Sequence, residues 1–304
     1  MFSVTKNKIW LLLLPVVLII AGIIGLVAGG GFKEDIDFAG GTSMQIKISR
    51  NLSGAERDEL ASIYAEAAGI DIKPIVQTTG QAFDEVVVKS TSLNEEQRSA
   101  AFEAVKNQYG LSDDAQFSTN NQSPSYGNEM KRNTLLFSLI AAVLMLIYIT
   151  IRFEWRSGIM AVAALVINIL VMLSVYALFG IPLSTTFIAA ILTVMGYSIN
   201  DTIIIFDRIR ENTKLAKKES YTEIAEKSIW QTMARTINTS VTTLITIVLL
   251  YFLGATAIKD FAFPIIVGII CGSYTSIFVA SPWWAAWKDA NKKAVAPAGG
   301  KKKK

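Results

Sequence analysis

Two kinds of patterning divide the chain. Between residue 33 and about residue 130, apolar and polar positions intermingle, whereas elsewhere apolar residues run in long blocks parted by short charged stretches. Six blocks, near 9–29, 133–151, 158–179, 184–206, 232–253 and 261–282, are long enough to span a bilayer, because a helix of about 20 apolar residues crosses its hydrocarbon core. Residues 152–157 part the second block from the third, Pro182 stops helix continuation between the third and fourth, and 254–260 part the last two. Residues 207–231 are expected to form the long loop of this half. The first block follows Lys6 and Lys8 much as a signal peptide would. It is longer than a usual signal core and no A-x-A-like site follows, so a retained helix is expected.

Within the polar block, alternation over 43–49 puts Met44, Ile46 and Ile48 on one face, which predicts a strand. Ser53-Gly54-Ala55-Glu56 is a capping box that opens a helix to about Ala68. Strands are expected over 70–77 and 83–89, joined by the turn Thr78-Thr79-Gly80-Gln81. Asn94-Glu95-Glu96-Gln97 starts a second helix that runs to about Tyr109, and 115–119 is a last strand. The order β-α-β-β-α-β is the ferredoxin-like pattern. Residues 120–128, rich in Asn, Ser, Pro and Gly, are expected to be a linker. The predicted fold class is an α-helical integral membrane protein with six transmembrane helices and a small extracytoplasmic ferredoxin-like α+β domain. Its expected divisions are 1–32, the N-terminus and first helix; 33–130, the outer domain and linker; 131–283, five helices; and 284–304, a basic tail.

Charge sets the expected orientation. Lys6, Lys8, Arg152, Arg156, Arg208, Arg210, Lys214, Lys217, Lys218, Lys227, Lys288, Lys292 and Lys293 all fall at one side, whereas the 179–183 loop has no Lys or Arg and the 254–260 loop has only Lys259. By the positive-inside rule both termini and residues 207–231 are cytoplasmic and the 33–130 domain is outside. Trp10, Trp155, Trp230, Trp283, Trp284 and Trp287 all fall at that same cytoplasmic interface, as aromatic anchors do.

Composition agrees and narrows the chemistry. The chain has 304 residues and is 52% hydrophobic, too much for an ordinary soluble domain. The net charge of +4 is segregated by position rather than gathered on a polar domain, which argues against nucleic-acid binding. The terminal lysines, Lys301 to Lys304, suit contact with anionic lipid or a ribosome, a solvated tail or an expression remnant. The single cysteine, Cys271, makes no intrachain disulfide or thiolate metal site and is expected to be a small core residue. The absence of histidine removes Ser–His and Cys–His catalysis, histidine metal sites and histidine relays, so proton chemistry must run through carboxylates.

Polar residues inside the spans are the candidate functional groups. Spacing puts Thr193, Tyr197, Asn200 and Asp201 on one side of the fourth span, beside Gly196 and Ser198. In the fifth span Arg235, Asn238, Thr239, Thr242 and Thr246 make one helical stripe, which suits either a water path or close packing. The sixth span holds the weakly polar run from Cys271 to Ser276. Asp201 lies about five residues inside its span, where a carboxylate costs about 2.5–3.5 kcal/mol on insertion scales. Arg235 is its expected opposite charge from the neighbouring helix, and a purely structural ion pair is the plainer reading. Burial disfavours the charged form and a guanidinium favours it, so movement between the two helices would switch proton uptake and release. Asp207, Arg208, Arg210 and Glu211 read first as interfacial charges. Only Asp201 lies deep enough for intramembrane carboxylate catalysis and no partner acid or histidine accompanies it, so an enzyme is not expected.

Three motifs carry a family resemblance. Asp35-Ile36-Asp37-Phe38-Ala39-Gly40-Gly41-Thr42 lies just outside the first span; Ala39 stands where Thr is more usual. Gly196-Tyr197-Ser198-Ile199-Asn200-Asp201-Thr202 is followed by Phe206-Asp207-Arg208-Ile209-Arg210-Glu211. The third runs from Arg235 to Thr243. Together these resemble SecF proteins of the SecD/SecF family, in the RND superfamily, over nearly the whole chain. The resemblance implies half of an RND-type unit in a bacterial cytoplasmic membrane. Its implied partners are a SecD-type subunit, the SecYEG channel and unfolded preprotein, with membrane lipids around it and no nucleic acid. It also implies export driven by the proton motive force, with protons or sodium as coupling ion and no other cofactor or metal. Asp201 and Arg235 match positions implicated in proton passage, with Asn200, Thr239 and Thr242 expected to bind the water that carries the proton. Two rival readings remain, a passive scaffold and an RND-type exporter of small solutes or lipids.

Overall fold

The structure is a computed structural model that describes residues 3–80, 83–112, 117–216 and 219–295, without the side chains of 124–125 and 292–295. Gln81 of the expected turn, Ala115, Lys217, Lys218 and Lys301 to Lys304 lie outside the described residues.

Six helices are long and apolar enough to cross a membrane. They begin with α1 (Lys8–Ala28), which leads through a one-turn helix, α2 (Ile36–Ala39), into the outer domain. That domain comprises β1 (Gly41–Lys47), α3 (Gly54–Ala68), β2 (Ile75–Thr79), β3 (Glu85–Ser90), α4 (Glu95–Tyr109) and β4 (Phe117–Gln122). The sheet order is β2-β3-β1-β4 with every neighbouring pair antiparallel, the ferredoxin-like arrangement. Both expected capping boxes are formed, Ser53 with Glu56 and Asn94 with Gln97, and α3 and α4 each end on a left-handed glycine, Gly69 and Gly110. One sheet face packs on these helices: Met44, Ile46, Val86 and Val88 meet Leu60, Tyr64, Ala101 and Val105, all fully buried.

The chain then enters α5 (Pro124–Arg152), α6 (Trp155–Phe179), α7 (Thr185–Leu215), α8 (Tyr221–Leu253) and α9 (Thr256–Thr275). A π-helical turn, Ser276–Ala280, joins α9 to α10 (Ser281–Val295). Close approach of α1 to α6 depends on Gly22, where a Cβ would lie 2.2 Å from that of Ser174. The bundle centre is α7 against α9 and the π-helical turn: Val194, Met195, Ile205 and Ile209 share a core with Ile265 and Ile269 of α9 and Ile277 of the turn.

Expectations about the connections need correction. Residues 207–231 are not a long loop, because α7 continues to Leu215 and α8 already starts at Tyr221, with Ser220 and Glu223 in a capping box. Apolar length measures the bilayer rather than the helix, and the polar extensions pack on each other. Residues 120–128 are not a linker either: β4 ends at Gln122, Ser123 caps α5 and Pro124 occupies its first turn, where a missing N–H does no harm. The stretch from residue 284 is helical as far as Val295, in α10.

The outer domain is fastened to the bundle at two places. At the first, Asp37 accepts both the N–H and the hydroxyl of Thr185 (3.1 and 2.6 Å), beside the Ser184 cap of α7. Asp35 N–H donates to Leu183 O (2.9 Å), and its carboxylate pairs with Lys89. Gly40 adopts φ +78° and ψ 159°, open only to glycine, and a Cβ on Gly41 would meet Ser90 O at 2.3 Å. At the second, edge strand β2 meets α9: Gln77 donates to Asp260, and Thr78 and Thr256 share a hydroxyl bond of 2.8 Å.

Candidate functional site: a buried carboxylate among three helices

Asp201 points inward from α7 and is 5% exposed. Its Oδ2 accepts the Ser273 hydroxyl from α9 at 2.8 Å and the Ser240 hydroxyl from α8 at 3.4 Å. The two serine oxygens lie 2.6 Å apart, so with the Ser273 proton on Asp201 the single Ser240 proton serves either Ser273 or the carboxylate. One carboxylate therefore joins three spans through neutral donors. A chain of small polar groups continues beside it, on the side towards α6. Asn168, fully buried, donates to Ser198 Oγ (2.7 Å) and to Gly268 O (3.2 Å), and Thr202 meets Ser276 at 2.8 Å. A Cβ on Gly272 would lie 2.1 Å from Ser198 Oγ, so this cluster requires glycine there. Two buried polar atoms, Asn168 Oδ1 and Thr236 Oγ1, have no hydrogen-bond partner among the described residues, which is costly away from water. The π-helical turn begins at Ser276, directly after these groups, and such turns often mark functional sites.

The expected Asp201–Arg235 ion pair is not formed. Arg235 is exposed on the outer face of α8, as is Asn238. Ser240 follows Arg235 by five residues, about 140° round a helix, and it is Ser240 that turns inward. The polar side of α7 divides in the same way: Tyr197 and Asn200 are exposed, while Asp201, one residue on, is buried. Gly196 lies on that exposed side with nothing near it. Thr239 and Thr242 donate to their own helix, to Arg235 O and Asn238 O (both 2.9 Å). The candidate residues thus fall into two sets: Asp201 inside, and Gly196, Asn200, Arg235 and Thr242 on an outward polar face, with Thr239 half-buried at its edge.

Asp207 and Arg208 belong to neither set. Asp207 pairs with Arg152 (3.7 Å). Arg208 bonds Gln231 and Glu211 (both 2.7 Å), and Asn212 bonds Ser228 and Gln231 (both 2.8 Å). These contacts clamp the polar ends of α7 and α8 together. Ser240 and Ser273 were the groups that residue type alone did not single out: each is one small hydroxyl in a run of several, and only helix azimuth distinguishes it. Among the described residues, no group of three His, Cys, Asp or Glu is placed to hold a metal ion.

Comparison with known proteins gives the family of the chain. Residues 102–290 match the family described as protein export membrane protein SecD/SecF, C-terminal. The chain is 35% identical over 299 residues to the protein translocase subunit SecF of Alicyclobacillus acidocaldarius, covering 96% of this chain and 94% of that one. It is 38% identical to the SecF subunit of Haemophilus influenzae, covering 82% and 75%. Against the protein translocase subunit SecDF of Thermus thermophilus it is 36% identical over 88% of its own length but only 36% of that longer protein. A crystal structure of SecDF from Thermus thermophilus, described as a translocon-associated membrane protein, superposes with a TM-score of 0.77 at 32% identity, over 94% of this chain and 38% of that one. This chain belongs to the SecD/SecF family of protein export membrane proteins.

Proposed function

We propose that the chain is a SecF-type translocase subunit that pairs with a SecD-type half and uses the proton motive force to promote export of unfolded protein through the SecYEG channel. The observation that carries this reading is the Asp201 carboxylate, buried within a span and held, among the described residues, by serine hydroxyls. Intramembrane ionisable groups without a fixed counter-charge are expensive and mark ion paths. Neutral donors tolerate both protonation states, since a hydroxyl can donate to a carboxylate and accept from a carboxylic acid.

The partner follows from the outward polar face. Arg235, Asn238 and Thr242 are exposed at spanning depth, next to the open Gly196. Lipid is a poor neighbour for such groups, whereas a second set of helices would satisfy them. The fused SecDF relatives carry a second portion in the same chain. In this reading Arg235 faces the SecD-type half, and Ser240 and Ser273 join Asp201 in the proton path. Asn200, Thr239 and Thr242 line the boundary between the halves.

Coupling runs along α9. That helix carries Ser273, which bonds Asp201, and Asp260, which bonds Gln77 of the outer domain, 13 residues or about 20 Å away. A change of charge at Asp201 that shifts α9 therefore shifts β2. The drive is about 2.3 kcal/mol per proton per 100 mV of membrane potential. We place both termini and the Arg152, Arg210 and Lys288 end in the cytoplasm, by the positive-inside rule. The small-solute exporter is disfavoured because the outer domain's interior is filled by its own side chains. Proton flux into vesicles that carry the chain with its SecD-type partner tests the reading. Asp201→Asn should abolish the partner-dependent flux, and unchanged flux would refute it.

A further inference from the structure

At the end of the bundle away from the outer domain lies a cavity of about 340 Å³, between the α5–α6 turn, the end of α7 and α10. Four basic side chains line it, Arg152, Arg210, Lys214 and Lys288, against one acid, Glu154. Glu154 pairs with Lys288, and Asp207 just outside the lining pairs with Arg152 at 3.7 Å, so among the described residues Arg210 and Lys214 are the lining cations outside an ion pair; Arg210 donates instead to Arg152 O at 3.4 Å. Both are exposed. The first turn of α6 opens here as well: Glu154 stands at its N-cap without making a capping bond, and buried Ser157 is part of the wall. Unsatisfied first-turn N–H groups and the helix dipole add to the positive field. The rest of the wall is apolar and aromatic, with Phe153, Phe206 and Trp284. At its rim Ile151 is 80% exposed, on the lateral surface of α5 where bilayer chains lie.

We propose that this cavity binds the phosphodiester head group of an anionic phospholipid, with its acyl chains along α5 beside Ile151. Positive charge alone would suit any phosphate. The placement at the ends of spanning helices, the apolar wall and the exposed isoleucine favour a lipid over a soluble anion. The inference does not depend on proton coupling at Asp201. A bound lipid would brace the α5–α6 turn against α7 and α10.

The test is native mass spectrometry of the full chain released from bilayer discs of mixed phosphatidylcholine and phosphatidylglycerol. The parent should retain one phosphatidylglycerol in preference to phosphatidylcholine. Arg210→Gln with Lys214→Gln should cut that retention by about tenfold or more, and Arg210→Lys with Lys214→Arg should restore it. Lys6→Gln with Lys227→Gln, which removes equal charge from the same end of the molecule, should leave it unchanged. If the doubly neutralised protein fails to fold, Lys214→Gln alone gives the same comparison at an exposed position. No preferential retention by the parent, equal retention after neutralisation, or displacement by millimolar inorganic phosphate would each overturn the proposal.

Discussion

Ser273 donates to Asp201 at 2.8 Å across the contact between α9 and α7, and this bond ties the buried acid to the helix that also touches the outer domain. A hydrogen bond to a charged acceptor contributes about 1.5–3 kcal/mol, and a neutral one about 0.5–1.5 kcal/mol. Ser273→Ala should therefore cost about 1.5–3 kcal/mol of unfolding free energy where Asp201 is ionised, and less than half of that in an Asp201→Asn background. Denaturant unfolding of the four proteins in detergent measures the difference. Equal costs in both backgrounds would mean that the bond does not respond to the charge on Asp201.

Two glycines separate packing within the chain from packing against a partner. Gly272→Ala places a methyl 2.1 Å from Ser198 Oγ and 2.9 Å from Asn168 Nδ2, so it should destabilise the isolated chain by about 1–3 kcal/mol. Gly196→Ala meets nothing and should leave the isolated chain unchanged or raise its stability by up to about 1 kcal/mol. The same change should weaken co-purification with the SecD-type partner, because the added methyl lies on the face assigned to it. Undiminished co-purification would move the partner elsewhere.

Asp37→Ala removes the acceptor for two groups of Thr185 in the first turn of α7 and leaves the Ser184 cap in place. The expected cost is about 1 kcal/mol, with faster proteolysis near residues 33–40, where the outer domain leaves α1. Asp37→Asn retains an acceptor and should cost less.

The outer domain should also show an acid-sensitive cap. The backbone and side chain of Ser53 hold the Glu56 carboxyl below its ordinary value of 4.5. A lowered folded-state value means that this contribution is complete above pH about 4.5 and is lost as pH falls through the folded value. Glu56→Gln keeps an acceptor for the Ser53 N–H and removes the titration. The opening free energy of the α3 amides, from exchange corrected for the intrinsic rate at each pH, should fall between pH 5 and pH 3 in the parent and change less in the variant.

The helices and the domain topology were legible because each rests on a local signal: apolar length for the spans, alternation for β1, and capping boxes at Ser53 and Asn94. The extents of α7 and α8 were not, since their ends beyond the bilayer are polar and are stabilised by contacts such as Arg208 with Gln231. The buried acid was legible as Asp201, but its partners were not. Depth along a span follows from counting residues. Which side of a helix meets its neighbour depends on how the bundle packs, and that turned Ser240 inward and Arg235 outward. The attachment of Asp37 to Thr185 joins residues 148 apart, and no local pattern reveals it.

We propose that Asp201 works by gaining and losing a proton rather than by holding helices together. Asp201→Asn is nearly isosteric and can still accept from Ser273, so the variant should fold and assemble with its partner as the parent does. The decisive measurement is gradient-dependent export of a preprotein into vesicles, at matched levels of assembled parent and Asp201→Asn protein. The variant should export no more with a proton gradient than without one. Gradient-stimulated export equal to that of the parent would contradict it and leave Asp201 a structural residue.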